Sequence, residues 1–185
     1  APLDDYANVA RAAVTLYEAT GDVDYVTTAM GWVDVIDTHY WDADGGGYFF
    51  TADDAEALII RTKSAADNAT PSGNSVIAAT LARLHFLTGT DHYRQRAEEL
   101  IGTFAGEASQ NFFPLTGLFC ANEVLQTCAQ VVVVGADDDP DTSALPDAAR
   151  NAPNTHNPTP PIPPAPALPD THPPPRPRHT AGPPP

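Results

Sequence analysis

Apolar residues recur at helical spacing in two segments of this chain that repeat each other. Residues 9–36 align with residues 77–104 at a constant offset of 68 positions, which places Gly21 over Gly89. Each copy predicts a helix, a stop at the glycine and a second helix, because glycine readily adopts the left-handed conformation that ends helices. The repeat therefore predicts two αα-hairpins.

Each predicted hairpin carries one apolar stripe. The stripe positions are Val9, Ala13, Leu16 and Tyr17 in the first copy, and Ile77, Leu81, Leu84 and Phe86 in the second. Asp22 and Asp91 follow the two glycines and are predicted to cap the second helix of each hairpin. A stripe of this kind needs a neighbouring element to cover it, so the pattern predicts stacked or ring-arranged hairpins. Their terminal faces stay uncovered and favour self-association.

The segments outside the repeat have a different pattern. Aromatic and β-branched runs broken by Asp and Gly occupy Tyr40–Ala52 and Leu58–Lys63, which is typical of one or two short β-hairpins. A third helix is predicted over Leu115–Thr127, and the apolar run Gln130–Gly135 has the length of a strand. An Asp-rich start and a short helix are predicted in residues 139–150.

Composition divides the chain near residue 151. Of the 20 prolines, 15 follow Asn151, in a stretch with no aromatic residue. Such a segment buries too little apolar surface to offset the entropy lost on ordering, and it populates extended polyproline II conformers. We therefore predict a folded helical domain over residues 1–150 and a disordered Pro-rich tail over residues 151–185.

The predicted folded part has 23 Asp and Glu against 7 Lys and Arg, a net charge of −16, and the tail adds +1 to give the −15 of the whole chain. A surface this acidic repels phosphate groups and anionic lipid headgroups, so no nucleic-acid or membrane partner is expected. The sequence has no apolar run near the roughly 20 residues of a membrane span, and its N-terminus has no signal-peptide pattern. The predicted location is therefore the cytoplasm.

The cysteines do not indicate redox or metal chemistry. Cys120 and Cys128 lie about two turns apart on a predicted helix, too far to bridge easily. They are accompanied by no CxxC motif or Cys/His cluster. Two reduced, packed thiols are expected, with redox or metal binding as the less favoured alternative. No cofactor and no metal are predicted.

Four segments resemble a known family. They are LDDYA at residues 3–7, LYEATGD at residues 16–22, WDADGGGYFFTADD at residues 41–54 and, the most specific, ATPSGNSVIAATLARL at residues 69–84. Together they make the chain resemble the spermatogenesis-associated-protein-20-like, thioredoxin-domain-containing proteins, from the first residues to about Arg150.

The resemblance implies a fold and a place within a longer protein. Proteins of that family are similar in having an N-terminal thioredoxin-like domain, followed by an (α/α)6 toroid of the six-hairpin glycosidase and sugar 2-epimerase type. The expected fold class is therefore mainly α, a partial (α/α)6 toroid of αα-hairpins with short β-hairpin insertions and a disordered tail. The chain would be a C-terminal fragment. The family's redox cysteine pair has no counterpart here, so no thiol chemistry is implied.

Sugar chemistry supplies a first set of candidate residues. Glycoside cleavage uses two carboxyl groups about 5 to 9.5 Å apart, one as proton donor and one as base or nucleophile. The candidate catalytic residues are Asp5, Asp42, Asp44 and Asp67, whose loops a toroid would gather on one rim. The alternative roles are structural, with Asp4 or Asp5 as a helix N-cap and Asp42 and Asp44 as turn formers before a triple glycine.

A second set of residues is suited to substrate contact. Aromatic rings can stack on sugars, and cations can bind a substrate anion. A Pro-Ser-Gly-Asn turn can point hydrogen-bonding groups into the space that a ring of helices encloses. The candidate residues are Tyr6, Trp41, Arg61, Lys63, Ser72 and Asn74. The alternatives are aromatic core packing, ion pairs of the two cations with Asp67 or Glu56, and a tight turn followed by a helix cap. His39 is a candidate general base, with packing as its alternative.

These observations support two hypotheses about function. In the first, the chain is a fragment of a thioredoxin-domain-containing protein whose toroid binds a carbohydrate or, as an enzyme, hydrolyses or isomerises one. The alternative is a non-catalytic helical interaction scaffold, because fold does not imply function. Convergence of the Asp and aromatic side chains in one concave pocket would favour the first hypothesis, and scattering would favour the second.

Overall fold

Helices make up most of the chain that the computed structural model describes, which comprises residues 1–56, 59–128 and residue 144. They are α1 (Leu3–Thr20), α2 (Val23–His39), α3 (Gly73–Thr88), α4 (Asp91–Thr103), α5 (Ala105–Gln110) and α6 (Thr116–Thr127), with a 3-10 turn (Phe113–Leu115) before α6. These described ranges contain no β-strand. The prediction of a mainly α fold is therefore confirmed, as is the third helix.

The two αα-hairpins occur at the predicted offset. α1 ends at Gly21 (φ 72°) and α3 ends at Gly89 (φ 70°), both in the left-handed conformation that other residues rarely adopt. Asp22 caps α2 as predicted, because its carboxylate accepts a backbone N–H from the first turn. The prediction for Asp91 is wrong, since Asp91 is the first residue of α4 and the N-cap is Thr90. Both loops are two residues long, but the acid stands one position later in the second copy, which places it inside the helix.

An irregular loop stands where one or two β-hairpins were predicted between α2 and α3. Trp41 and Tyr48 form an isolated antiparallel bridge, and the described residues of the loop contain no longer ladder. Gly46 (φ 69°) and Gly47 (φ 73°) curl the chain between them with dihedral angles that strands do not use. In the described residues, which exclude Leu58, the predicted β-hairpins are therefore reduced to one antiparallel bridge without strands.

Helices α1, α3 and α6 form one layer, with α3 between the other two. At one end of α3, the Gly73 N–H donates to the Asp4 carboxylate of α1 at 2.9 Å, and at the other end Arg83 pairs with Glu18 at 2.7 Å. Contacts at both ends make α1 and α3 parallel. α2 packs on α1 and α4 packs on α3, so each hairpin contributes one helix to the layer. The complete toroid stays a prediction.

The core is centred on α3, which is buried on almost every side. α1 buries one stripe made of Leu3, Ala7, Ala10, Ala13, Val14 and Tyr17. The predicted stripe is wrong at Val9 and Leu16, which are 49% and 43% exposed, and Phe86 is only half-buried. Periodicity alone cannot choose between adjacent faces of α1, and α3 covers the neighbouring one.

Some predictions lie outside the described residues. These are the strand over Gln130–Gly135, the helix in residues 139–150 apart from residue 144, and the disordered tail over residues 151–185. The domain boundary near residue 150 therefore stays a prediction. In the part of the chain that the structure describes, no helix is long and apolar enough to cross a membrane.

Candidate functional site

The starts of α3 and α6 meet the loop between α2 and α3 on one rim of the molecule. The Asp67 carboxylate in this loop accepts the Ser72 N–H at 3.0 Å and the Gly117 N–H at 2.6 Å. The Asp67 N–H donates to the Pro114 carbonyl at 2.6 Å. A carboxylate is stabilised at helix starts, where N–H groups lack partners within the helix. Asp67 therefore ties the loop to both helices.

Asn74 holds the loop from the inside. Its side chain is buried, at 1% exposure. Its Oδ1 accepts the Tyr48 N–H at 3.0 Å, and its Nδ2 donates to the carbonyls of Tyr48 and Ser64, each at 2.9 Å. One amide thus joins two loop segments to the start of α3.

Ser72 is the N-cap of α3. Its hydroxyl accepts the Ser75 N–H at 3.2 Å and lies 3.0 Å from the Ala65 carbonyl, to which it can donate. This is the capping role that the sequence offered as the alternative to substrate contact. The same hydroxyl also fixes the position of the loop.

Asp42 and Lys63 form an ion pair in the loop. Lys63 Nζ lies 2.7 Å from Asp42 Oδ2, and the Asp44 and Gly45 N–H groups donate to Asp42 Oδ1 at 3.1 Å each. The Lys63 hydrogen bond, with help from the Gly45 N–H, lowers the pKa of Asp42 from its ordinary 3.8. Lys63 therefore pairs with a turn-forming carboxylate, and not with either acid predicted for it.

Arg61 is engaged by the loop backbone. Its Nε donates to the Thr51 carbonyl at 3.0 Å, and one terminal nitrogen donates to the His39 carbonyl at 3.0 Å. The guanidinium carbon lies 4.3 Å from the Phe49 ring centroid. Arg61 therefore closes the loop back onto the end of α2.

The candidate aromatic residues belong to two different clusters. Tyr6 packs against Trp32 with ring centroids 5.3 Å apart. Trp41 packs against Tyr48 at 4.9 Å, and the Arg96 guanidinium carbon lies 3.9 Å from the Trp41 ring centroid. Both predicted aromatic residues thus have ring partners, but not the same ones.

A polar groove of about 330 Å³ lies where the loop meets the starts of α1 and α3. Its polar lining consists of Asp4, Thr62, Ser64, Asn68, Thr70, Ser72 and Asn74. Phe50 also lines the groove and is 44% exposed. Hydrogen-bonding groups around an accessible ring suit a ligand with both polar and apolar faces.

The structure brings only part of the predicted site into this groove. Ser72 and Asn74 line it. Asp5 and Tyr6 line a separate, apolar hollow of about 240 Å³ beside α1. The remaining candidates occur in the surrounding loops without lining the groove, namely Trp41, Asp42, Asp44, Arg61, Lys63 and Asp67. The candidate carboxyls are therefore spread over more than one surface feature.

Sequence reasoning missed a cluster around Asp37 of α2. The Tyr48 hydroxyl donates to Asp37 Oδ1, while His92 Nε2 and Arg96 Nε lie 3.1 and 3.4 Å from its carboxylate oxygens. Burial, reinforced by the Asp37 charge, raises the pKa of Tyr48, so this hydroxyl stays protonated. These residues come from two helices and a loop, and no local motif links them.

His39, Asp53 and Asp54 form a second cluster that sequence spacing did not indicate. Their potential ligand atoms lie within 4.8 Å of one another, so the three side chains could hold a metal ion. His39 Nδ1 is 2.8 Å from Asp53 Oδ1, and this hydrogen bond raises the pKa of His39 and lowers that of Asp53. Both acids are exposed and the Arg61 cation lies nearby, so an ion pair accounts for the arrangement.

The two cysteines differ in their surroundings. Cys120 is exposed, so the expectation of a packed thiol is wrong there. Cys128 is half-buried, and burial, with the Glu18 charge, raises the pKa of its thiol to about 11. The thiolate is the reactive form, so Cys128 is poorly suited to thiol chemistry at neutral pH.

The fold and the rim define the class of the protein as an αα-hairpin repeat protein with a polar loop rim. No family model matches the chain. Over 145 residues, or 77% of its length, the chain is 36% identical to spermatogenesis-associated protein 20 of Rattus norvegicus and 35% identical to that of Homo sapiens. The uncharacterized protein B0495.5 of Caenorhabditis elegans is 29% identical over 96 residues, which is 52% of this chain and 13% of that protein.

The predicted resemblance is confirmed, and the chain is spermatogenesis-associated-protein-20-like. It spans 18% of the length of the rat and human proteins. The activity and partners of the longer relatives do not pass to it on this basis.

Proposed function

We propose that this chain is the carbohydrate-binding part of a helical toroid, a C-terminal fragment of a thioredoxin-domain-containing protein of the cytoplasm. The observation that carries the proposal is the polar groove of about 330 Å³ with the exposed Phe50 ring among its lining residues. A sugar presents hydroxyl groups at its edges and an apolar face to which a ring can pack. The groove offers groups of both kinds.

The groove is built on a fixed frame. Asn74 and Ser72 are bonded to loop backbone, and Asp4 is bonded to the start of α3. The groove is also lined by three exposed residues, Thr62, Asn68 and Thr70. A ligand would therefore meet a preorganised surface, which reduces the entropy lost on binding.

Catalysis would require two of the candidate carboxyl groups to act on the bound sugar. As an enzyme, the protein would resemble a glycoside hydrolase or sugar epimerase and use a pair among Asp5, Asp42, Asp44 and Asp67. The lowered pKa of Asp42 suits a base or nucleophile and is the opposite of what a proton donor needs. Retained sugar turnover after all four are replaced by Asn would refute this part.

The binding proposal is tested by titrating a panel of mono- and oligosaccharides into the full chain by calorimetry. Phe50→Ala should weaken binding about tenfold, which corresponds to roughly 1.4 kcal/mol for one lost ring contact. Phe112→Ala is the matched control, because Phe112 is 54% exposed and does not line the groove. The absence of any sugar binding, or equal weakening by both variants, would refute the proposal.

A second candidate function is a non-catalytic interaction scaffold that associates with itself. The observation that favours it is exposed apolar surface at both edges of the α1–α3–α6 layer. The exposed side chains are Val9 and Leu16 on α1, and Phe112, Phe113 and Phe119 at α6. Clustered exposed apolar groups mark interaction sites more often than isolated ones do.

A further inference from the structure

The loop segment along one wall of the polar groove alternates between residues that line the groove and residues that do not. Thr62, Ser64 and Ala66 line it, whereas Arg61 and Lys63 between them do not. This alternation is that of an extended chain, whose neighbouring side chains point to opposite faces. Both cations are instead engaged by other groups of the loop. The two cations that could bind a substrate anion are therefore turned away from the groove.

The start of α3, which forms another wall of the groove, offers little to an anion. A helix start attracts negative charge because its first N–H groups lack partners within the helix. Here the Gly73 N–H donates to the Asp4 carboxylate at 2.9 Å, and the Ser72 N–H donates to the Asp67 carboxylate at 3.0 Å. The Ser75 N–H donates to the Ser72 hydroxyl at 3.2 Å. Two carboxylates of the chain itself thus occupy the position that a ligand phosphate or carboxylate would take.

Asp4 gives the groove a negative charge. It is the one charged residue among the described residues that line the groove. Its Oδ1 accepts the Gly73 N–H, while Oδ2 has neither a hydrogen-bond donor nor a cation beside it in the described part of the chain. Asp4 is half-buried, so salt screens its charge less than it screens a fully exposed one. The groove therefore repels an anionic ligand and offers a carboxylate oxygen to a cationic one.

We propose that the groove is selective for sugars that carry a protonated amino group, and that Asp4 sets this selectivity. The inference rests on the carbohydrate binding proposed above and names the chemical class of the sugar. The amino group donates to Asp4 Oδ2, while the sugar hydroxyls meet the uncharged polar groups of the lining and Phe50 meets an apolar face. Uncharged sugars bind more weakly, and sugar phosphates and uronic acids are disfavoured because like charges repel across an interface.

The experiment titrates glucosamine, glucose, N-acetylglucosamine and glucuronate into the full 185-residue chain by calorimetry. At about pH 6 the amine of glucosamine is protonated and the carboxyl of glucuronate is ionised. Glucosamine should bind about threefold more tightly than glucose, the gain of one partly exposed ion pair. N-acetylglucosamine should lack this gain, because its nitrogen carries no charge. Glucuronate should bind about threefold more weakly than glucose.

Asp4→Asn removes the charge but keeps an oxygen that can accept the Gly73 N–H, and circular dichroism checks that its helical content is unchanged. This variant should bind glucosamine and glucose with about equal affinity. Asp24→Asn is the matched control, because Asp24 is exposed on α2 and does not line the groove. It lies past the far end of α1, whose 18 residues put roughly 25 Å between Asp24 and Asp4, well beyond the screening length of about 8 Å. The control should keep the preference for glucosamine.

Salt provides a second measurement that needs no variant. Raising the salt concentration to about 1 M shortens the screening length to about 3 Å. The preference of the unmodified chain for glucosamine over glucose should therefore shrink. A preference that salt leaves unchanged contradicts its assignment to charge.

The possible failures are distinguishable. If none of the sugars binds, the proposed function and this inference fall together. If sugars bind but glucuronate matches glucose, or N-acetylglucosamine matches glucosamine, carbohydrate binding stands and the assignment to amino sugars is refuted. If the preference for glucosamine persists in Asp4→Asn, or is lost equally in Asp24→Asn, Asp4 is not its source.

Discussion

Replacing Asn74 by Ala should lower the free energy of unfolding of this protein more than a comparable change at its surface. The side chain makes three hydrogen bonds, all to loop backbone, from a position that is 1% exposed. The variant therefore removes the link between the start of α3 and two segments of the loop. The polar groove depends on the same link.

The magnitude follows from the surroundings of each bond. A neutral hydrogen bond contributes about 1 kcal/mol net, and a buried polar group left without a partner costs about 1 to 3 kcal/mol. Tyr48 is fully buried, so water cannot readily replace the two bonds to its backbone, whereas Ser64 is exposed and its carbonyl can be hydrated. The expected loss is about 2 to 4 kcal/mol, against a total stability of roughly 5 to 15 kcal/mol for a typical domain.

Urea denaturation followed by circular dichroism measures the free energy of unfolding of both forms. Asn8→Ala is the matched control, because Asn8 is exposed and its side chain donates to the Asp4 carbonyl at 2.8 Å on the surface of α1. The control should change stability by less than about 0.5 kcal/mol. A loss below about 1 kcal/mol for Asn74→Ala, or equal losses for the two variants, would refute the reasoning.

Two further predictions concern the rim. Ser72→Ala should destabilise the protein by about 1 kcal/mol in thermal melts, because the Ser72 hydroxyl caps α3. Thr90→Ala is the control and should have little effect, because the Thr90 side chain makes no cap bond. Equal effects of the two variants would contradict the capping argument. Asp42→Asn should lower the melting temperature at neutral pH. The pKa of Asp42 is lowered on folding, so the stability from its charge is present above its unfolded pKa of 3.8 and is lost as pH falls through the folded value. The difference between the two forms should therefore vanish in acid, and a pH-independent difference would show that charge is not its cause.

The chemistry of the rim was only partly readable from the sequence. The Pro-Ser-Gly-Asn segment indicated a turn and a helix cap, and Ser72 caps α3 because capping depends on neighbouring residues alone. The same segment gave no sign that Asn74 would bind Tyr48, 26 residues earlier. No local pattern around Asp67 showed that its carboxylate would bind the Gly117 N–H, 50 residues later. Contacts of that separation depend on how whole helices pack.

The sequence by itself determined the αα-hairpins. Helical spacing and a glycine with positive φ are local properties, so α1 and α3 end at Gly21 and Gly89 as the repeat predicts. Tertiary structure alone decided which side of α1 is covered: Val9 and Leu16 are exposed because α3 lies against the neighbouring face. It also decided that the loop after α2 is not a β-hairpin. Pairing there stops at the bridge between Trp41 and Tyr48, and a side chain from α3 takes the hydrogen bonds of the Tyr48 backbone.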